Sequence, residues 1–304
     1  MFFLKTFIKN IGIKISLFFF TNSNLLSYNI FNLFYKTIIA RKTNSQIILD
    51  YYNNHLVKLG CADQNLLKNI KNCLEEQNPQ NNSSNSFSYS ITPNIKDNIF
   101  KIINLNLKKH LEDFSDYYKN KVCLVDLGIR RNYPVVKNLN QEFYSNFYHC
   151  DAYLFTMFKI FINVDEVSDN HGPLHVINKI HTNKFLKKTN YKTRIADFGE
   201  EIINNDYIFR NIGKRGDILA CNTTEVFHKA GEPTVGNYRD MMFLTFAAIA
   251  DKNIIKEEAS VFYIDGFLNE DNSLHKKIAK PESFIDVIKF FLKYFSYSKK
   301  YGTS

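Results

Sequence analysis

The sequence predicts an α+β fold in which helices flank a sandwich or barrel of short strands. Apolar residues recur at helical spacing near both ends, and strand-length apolar runs bounded by polar residues or glycine fill the region between. With 304 residues and 45% hydrophobic residues, the chain can bury one large core or two small ones. The apolar content also excludes a protein that is disordered throughout.

Both ends carry the pattern of a basic amphipathic helix, within residues 1–20 and 284–295. Such helices bind an anionic membrane surface in some proteins and pack against a core in many others. We favour packing on the core and leave peripheral membrane contact open. Lys5, Lys9 and Lys14 interrupt the first apolar run, which disfavours a signal peptide. The sequence contains no uninterrupted run of 18 or more apolar residues, so it predicts no conventional membrane-spanning helix.

The apolar pattern divides the chain into four segments. We interpret residues 1–76 as a helical N-terminal extension that packs on the core. Residues 77–98, which begin with the polar stretch QNPQNNSSNSFSYS, are interpreted as a polar linker or surface loop. Residues 99–250 contain the strand-length runs KVCLVDLGI, FTMFKIFINVDEV, GPLHVI, GDILACN and DMMFLTFAAIA. Residues 251–304 form a C-terminal segment with the second amphipathic helix.

Charge and cysteine content restrict the expected partners and cellular compartment of the protein. Lys+Arg number 39 against 30 Asp+Glu, a formal charge of +9, but clustered basic runs and an aromatic-basic RNA motif are absent. We therefore do not expect a nucleic-acid partner. The five cysteines are odd in number and form no C-x-x-C pair, which favours a reducing, cytoplasmic setting.

A metal-ligand pattern lies in the strand-rich segment. His149 and Asp151 are two residues apart, so an extended chain projects both to one face. His228 follows in a later run, before a turn built from glycine and proline. Two histidines and a carboxylate are the ligand set of non-haem Fe(II) oxygenases, although zinc also accepts these ligands.

Arg239 lies eleven positions after His228, across that turn. If the two flanking runs pair as a hairpin, Arg239 points into the cavity that holds the histidines. A guanidinium there would bind a carboxylate in bidentate fashion.

With these residues in order, the stretch from about residue 121 to 250 resembles the phytanoyl-CoA dioxygenase (PhyH-like) family of Fe(II)/2-oxoglutarate oxygenases. The resemblance rests on the H-x-D of His149 and Asp151, the following strand at Phe158–Val164, the segment DEVSDNHGPLHVINKIH, and the spacing from His228 to Arg239.

The resemblance implies a double-stranded β-helix, or cupin-like jelly roll, buttressed by helices at both termini. It implies that His149, Asp151 and His228 are catalytic ligands of Fe(II) and that Arg239 binds the cosubstrate 2-oxoglutarate. A relative with this site uses O2 to hydroxylate a C–H bond and releases succinate and CO2. Retention of Asp151 argues for hydroxylation or another oxidation rather than halogenation. The substrate would be a small molecule or a lipid- or acyl-linked metabolite.

The family pattern is not complete. Asn178, Lys179 and Ile180 stand where relatives have P-G-S, and Ala230 occupies a position where a hydroxyl often assists cosubstrate binding. His171, His175 and His181 have spacings that suggest a second metal site, but we interpret them as structural.

Other residues near the motifs have local interpretations. Gly172 is expected to adopt a positive φ in a turn, and Asp217 to open a strand after a turn rather than to bind metal. Arg130 and Arg131 either face an anionic substrate or lie at a solvated strand end.

Two alternatives to a metabolite hydroxylase remain from the sequence. One is a catalytically silent jelly-roll protein that acts as a binding or scaffold module. The other, motivated by the net charge of +9, is a nucleic-acid binder or a demethylating oxygenase that acts on nucleic acid.

Overall fold

The computed structural model describes residues 45–81, 85–118, 121–135, 142–151, 157–188, 194–195, 205–248, 255–258 and 261–264. The two terminal amphipathic patterns lie outside these residues. The described part combines helices with largely antiparallel sheets, which confirms the α+β class.

The helices are α1 (Gln46–Asn54), α2 (Gln64–Glu75), α3 (Pro93–Ile102), α4 (Lys108–Tyr118) and α5 (Lys179–Lys188), and a π-helical turn at Ile103–Leu107 joins α3 to α4. The strands are β1 (Leu56–Cys61), β2 (Ser86–Ser88), β3 (Val122–Asn132), β4 (Tyr148–His149), β5 (Met157–Asn163), β6 (Leu174–Ile177), β7 (Arg194–Ile195), β8 (Ile208–Arg210), β9 (Asp217–Cys221), β10 (His228–Ala230), β11 (Arg239–Ala248), β12 (Ile255–Glu258) and β13 (Val261–Ile264).

The strands form two sheets. The major sheet has eight strands in the order β1-β9-β5-β11-β3-β13-β12, with β2 also paired to β3, and the minor sheet has five in the order β7-β4-β10-β6-β8. All described strand pairs are antiparallel except β13 with β3. One buried cluster joins the sheets, with Phe161, Leu219 and Met241 from the major sheet and Leu174 and Val176 from the minor. The sheets therefore pack face to face and enclose the space between them.

Helices α1 to α4 cover the outer face of the major sheet. Phe158 projects outward from β5, and its ring lies 4.4 Å from the ring of Phe114 on α4 and 6.0 Å from that of Tyr51 on α1. Its sheet neighbour Phe246 stacks on it at 5.7 Å. Because β5 is covered by helices on one face and by the minor sheet on the other, its sequence is apolar almost without alternation.

The N-terminal part of the chain differs from the helical pattern predicted up to residue 76. After α1, His55 adopts φ 58° and its N–H donates to the Tyr51 carbonyl at 2.7 Å, which ends the helix. The chain then continues as β1, whose Val57 and Leu59 are buried on one face. Helical periodicity missed this strand because it has only six residues between two amphipathic helices.

Residues 77–98, predicted as a linker or loop, contain β2 and the start of α3. The Thr92 hydroxyl accepts from Ile95 N–H and Pro93 occupies the first turn, so a clear helix start lay inside the polar segment. Likewise, α3 and α4 occupy residues 93–118, where strand-length runs were expected from residue 99 onward. Strands dominate only from β3.

Within the described residues, no helix is long and apolar enough to cross a bilayer.

Candidate metal centre and its cavity

Two histidines of the minor sheet face each other. His149 on β4 and His228 on β10 are directly paired across the strands, and their ring centroids are 4.3 Å apart. Each Nδ1 lies near a backbone carbonyl, that of Phe147 at 2.8 Å and that of Val226 at 3.2 Å. Because a carbonyl only accepts, each Nδ1 carries the proton and each Nε2 presents a lone pair.

Asp151 completes the group. It follows β4 by two residues, and its backbone N–H donates to the Thr223 carbonyl at 2.9 Å. Its carboxylate oxygens lie 3.7 Å from His149 Nε2 and 3.8 Å from His228 Nε2. The structure therefore brings the three predicted ligands together, with one potential ligand atom from each within 4.8 Å of the others.

The charges at this point suit a metal ligand set. Burial opposes ionisation of Asp151, but the Lys159 ammonium, 2.7 Å from Asp151 Oδ2, holds the carboxyl pKa well below its ordinary value. Burial and the neighbouring His149 lower the pKa of His228 to about 3. At neutral pH the site thus has an ionised carboxylate and a neutral His228, the protonation states that coordination requires.

The donor set also fits a catalytic transition metal. Two imidazole nitrogens and one carboxylate oxygen on one side of an ion leave its other positions open to ligands from the cavity. Among the residues that the structure describes, this is the one group of His, Cys, Asp or Glu side chains that could hold a metal.

The triad opens into a cavity of about 360 Å³ between the sheets. Arg239, at the start of β11, lines the same cavity and is only 4% exposed. Its Nε and Nη1 atoms have no hydrogen-bond partner in the protein. Burial lowers its pKa to about 10, so the guanidinium remains charged at neutral pH. A buried, unpaired cation is costly, and an anionic ligand in the cavity would remove that cost.

Arg239 reaches the cavity by a different route from the one predicted. The hairpin between the runs of His228 and Arg239 is wrong, because β10 belongs to the minor sheet and β11 to the major sheet. The turn between them carries the chain across the sandwich. Arg239 therefore faces the histidines from the opposite wall, a placement that sequence spacing alone could not distinguish from a hairpin.

Two further polar residues of the cavity were not predicted. Asn132 on β3 is the direct strand partner of Arg239, is 5% exposed, and has an Oδ1 atom without a partner. Lys159 projects inward from β5, where every flanking position is apolar. A lysine inside a strand buried on both faces is itself an indication of a charged partner, which here is Asp151.

Arg130 and Arg131 separate onto opposite faces of β3. Arg130 lines the cavity, whereas Arg131 faces the helices and binds Asp240 with two hydrogen bonds of 2.8 and 2.7 Å. Arg131 also donates to Glu75 at 2.7 Å, and Lys71 lies 2.8 Å from Asp240. This charge cluster of Lys71, Glu75, Arg131 and the buried Asp240 ties α2 to β3 and β11 beside Arg239.

The other histidines of the predicted segment lie apart from the centre, as expected. The Ser168 backbone N–H donates to His171 Nδ1 at 3.1 Å, and Tyr148 Oη lies 3.3 Å from His175 Nδ1. The ring of His181, on α5, stacks on Tyr207 at 3.5 Å.

The remaining local predictions can be compared directly with the structure. Gly172 has φ 64° and Asp217 begins β9 after a turn, both as expected. Asn178, at the family's P-G-S position, accepts from His181 N–H at 3.0 Å at the start of α5. Ala230 lines the cavity, so this position supplies no side-chain hydroxyl.

A scan against protein-family models found no match, and neither did a search among curated proteins. Solved structures to which this chain is similar include EctD from S. alaskensis with 2-oxoglutarate and 5-hydroxyectoine, at 13% identity over 72% of this chain and 80% of that one, with a TM-score of 0.48. HygX from Streptomyces hygroscopicus with nickel and 2-oxoglutarate matches at 10% identity over 68% and 87%, with a TM-score of 0.49. The 2-oxoglutarate-dependent epimerase SnoN from nogalamycin biosynthesis matches at 9% identity over 71% and 86%, with a TM-score of 0.45.

Proposed function

We propose that the protein is an Fe(II)/2-oxoglutarate-dependent dioxygenase that hydroxylates a C–H bond of a small or acyl-linked metabolite. One observation carries the proposal: a triad of two histidines and a carboxylate shares one cavity with a buried arginine whose Nε and Nη1 atoms have no hydrogen-bond partner in the protein. The first group suits a metal with open positions and the second suits a carboxylate. A metal-chelating dicarboxylate satisfies both.

His149, Asp151 and His228 would hold the iron, and Arg239 would bind the far carboxylate of 2-oxoglutarate. When bound, Fe(II) with 2-oxoglutarate and O2 supplies the oxidising chemistry, in which one oxygen atom enters the substrate C–H bond and the other enters succinate as CO2 is released. Ala230 offers no hydroxyl for the cosubstrate, so Arg239 carries the charge recognition, with Asn132 beside it.

The chain's own groups prepare this site. The carbonyls of Phe147 and Val226 fix the tautomers of the two imidazoles. The Lys159 ammonium, which lies beside Asp151 Oδ2, balances the charge of that carboxylate. Phe161, Met241 and Phe243 add an apolar part to the cavity wall. Because Arg239 itself is buried, its attraction for a carboxylate is stronger than it would be in bulk water.

We also infer that the two facing sheets are those of a double-stranded β-helix, since both histidines lie inside the sandwich on the minor sheet and Asp151 directly follows β4. The cavity of about 360 Å³ must hold both the cosubstrate and the reacting part of the substrate. A long acyl chain or carrier would therefore extend out of it.

The test is calorimetric titration of 2-oxoglutarate into protein loaded with Ni(II), a redox-silent substitute for iron, and into the metal-free protein. We expect saturable binding that requires the metal, and slow succinate formation once Fe(II) and O2 replace nickel. Metal-independent or absent binding of 2-oxoglutarate would instead favour the silent binding or scaffold protein.

A further inference from the structure

Arg130 is the one cation of the described cavity lining that the proposed iron and cosubstrate sites do not use. It lies on β3 two residues before Asn132, so the two side chains share the inward face. Arg130 is half-buried, and its Nε is a buried donor with no partner in the protein. It is not at a solvated strand end.

The neighbouring Arg131 differs from Arg130 because its charge is paired within the protein. Arg131 is paired with Asp240 and Glu75, and its guanidinium lies 3.7 Å from the ring centroid of Tyr238. Arg130 has only Asp126, four residues away on the same strand, as an electrostatic partner that favours its charge. Burial outweighs that partner and lowers the pKa of Arg130.

The charges of the cavity do not balance without a further anion. Its described lining contains three cationic side chains, Arg130, Lys159 and Arg239, and two carboxylates, Asp126 and Asp151. A divalent metal and a doubly charged 2-oxoglutarate cancel each other. One positive charge then remains on the cavity wall, where the half-buried Arg130 has a buried Nε without a partner and an unpaired charge is costly.

The wall beside Arg130 is apolar and close-packed. Met241 is its direct strand partner on β11, and Phe243 lies opposite Gly128. A Cβ atom at Gly128 would come within 2.5 Å of the Phe243 ring, so the absence of a side chain lets this ring lie against the strand. The surface next to Arg130 therefore suits the hydrocarbon part of a ligand whose charged end binds the guanidinium.

We propose that Arg130 binds an anionic group, a carboxylate or a phosphate, of the substrate, whose apolar part lies on Met241 and Phe243. This inference rests on the proposed function, because it assigns Arg239 to the cosubstrate and leaves Arg130 for the substrate. It predicts an acid or a phosphate ester as the substrate class.

The experiment uses the full chain loaded with Ni(II) and saturated with 2-oxoglutarate. Benzoate, phenyl phosphate and neutral benzamide are titrated as probes by calorimetry into the wild type, Arg130→Gln, Arg130→Lys and the control Arg210→Gln, which removes an arginine that lies outside the cavity. We expect at least one anion to bind the wild type at millimolar concentration and benzamide not to bind. Loss of one charge-assisted contact should weaken that anion by about tenfold in Arg130→Gln, with partial recovery in Arg130→Lys and no change in Arg210→Gln.

The preference between benzoate and phenyl phosphate identifies the anionic group as carboxylate or phosphate. Absence of anion binding, equal binding of benzamide, or unchanged binding in Arg130→Gln overturns the inference. Titration of 2-oxoglutarate into the same samples distinguishes a failure of this inference from a failure of the proposed function. If 2-oxoglutarate binds but the anionic probes do not, the role of Arg130 is rejected and the proposed function is not. Circular dichroism of each variant establishes that it is folded.

Discussion

At the residue scale, the candidate centre depends on a few short-range contacts. Two backbone carbonyls orient the histidines and one lysine neutralises the carboxylate. The H-x-D spacing could predict His149 and Asp151 because strand geometry puts alternate residues on one face. Lys159 could not be assigned from sequence, since its function depends on Asp151 from the facing side of the sandwich.

Replacing one ligand should abolish tight metal binding. We expect His228→Ala to lose stoichiometric Ni(II), because two ligands remain and the site loses a strand-fixed nitrogen. His175→Ala is the control, since His175 lies on the neighbouring strand β6 and is outside the triad. Metal content after gel filtration distinguishes them; retention of one equivalent of nickel by His228→Ala would contradict the assignment.

Arg239 should affect the cosubstrate and not the metal. Arg239→Gln removes the charge opposite the far carboxylate, so the Kd for 2-oxoglutarate should rise by about tenfold or more, as expected for a buried charge-assisted contact. The Kd for Ni(II) alone should not change. Calorimetry measures both constants, and an unaltered cosubstrate Kd would show that Arg239 has another partner.

At the element scale, the site depends on how strands and helices are held together. Strand runs of the major sheet were predictable from apolar segments: β5 and β9 fall within them, and β3 and β11 overlap them but extend beyond at one end. The assignment of strands to the two sheets could not be predicted. A short turn separates β10 from β11 as in a hairpin, but it joins the minor sheet to the major sheet. The helix α3 was missed because its start lies in a polar segment.

The charge cluster around the buried Asp240 holds α2, β3 and β11 in place. Asp240→Asn would leave Arg131 and Lys71 without their shared carboxylate, whose side chain is 0% exposed. We expect the free energy of unfolding to fall by about 3–5 kcal/mol, the cost of breaking a buried ion pair on one side. The exposed pair of Arg210 and Asp169 provides the control, and Asp169→Asn should cost less than about 1 kcal/mol. Urea unfolding measures both; equal losses would mean that Asp240 does not hold the cluster.

The loop before β6 requires glycine for space as well as for conformation. Gly172 and Gly236 both have positive φ. A Cβ at Gly172 would lie 2.4 Å from the backbone of Glu232, whereas a Cβ at Gly236 would have no other heavy atom within 4 Å. Gly236→Ala should cost about 1–2 kcal/mol from backbone strain alone. Gly172→Ala should cost more and lower the Tm further. A smaller Tm change in Gly172→Ala than in Gly236→Ala would contradict this packing.

At the scale of the whole molecule, stability depends on carboxylates that join the helical layer to the sheets. Burial raises the pKa of Asp165, but hydrogen bonds from Lys71 and Arg215 outweigh burial and lower it below its ordinary value. A carboxyl with a lower pKa in the folded state stabilises the fold above its unfolded pKa of about 4 and loses that contribution as the pH falls.

The wild type should therefore be more stable than Asp165→Asn at neutral pH, by about 1 kcal/mol because the pair is partly exposed. That difference should shrink as the pH falls below about 4 and the wild-type carboxyl is protonated. Urea unfolding of both proteins across this range measures it. A difference that stays constant or grows in acid would show that Asp165 does not act through its charge.

The class of fold and the pairing of His149 with Asp151 on one face could be predicted from the sequence because both follow from local periodicity, whereas His228 was predicted from its order and spacing in the family resemblance. The charge balance of the cavity could not, because Arg130, Lys159 and Arg239 come from three strands that meet only in the folded molecule.

The most direct test of the proposed function is an anaerobic crystal structure of the full chain with Fe(II) and 2-oxoglutarate. We predict iron bound by His149, Asp151 and His228, with 2-oxoglutarate chelating the iron and its far carboxylate on Arg239. Iron at another site, or 2-oxoglutarate bound away from Arg239, would contradict the account.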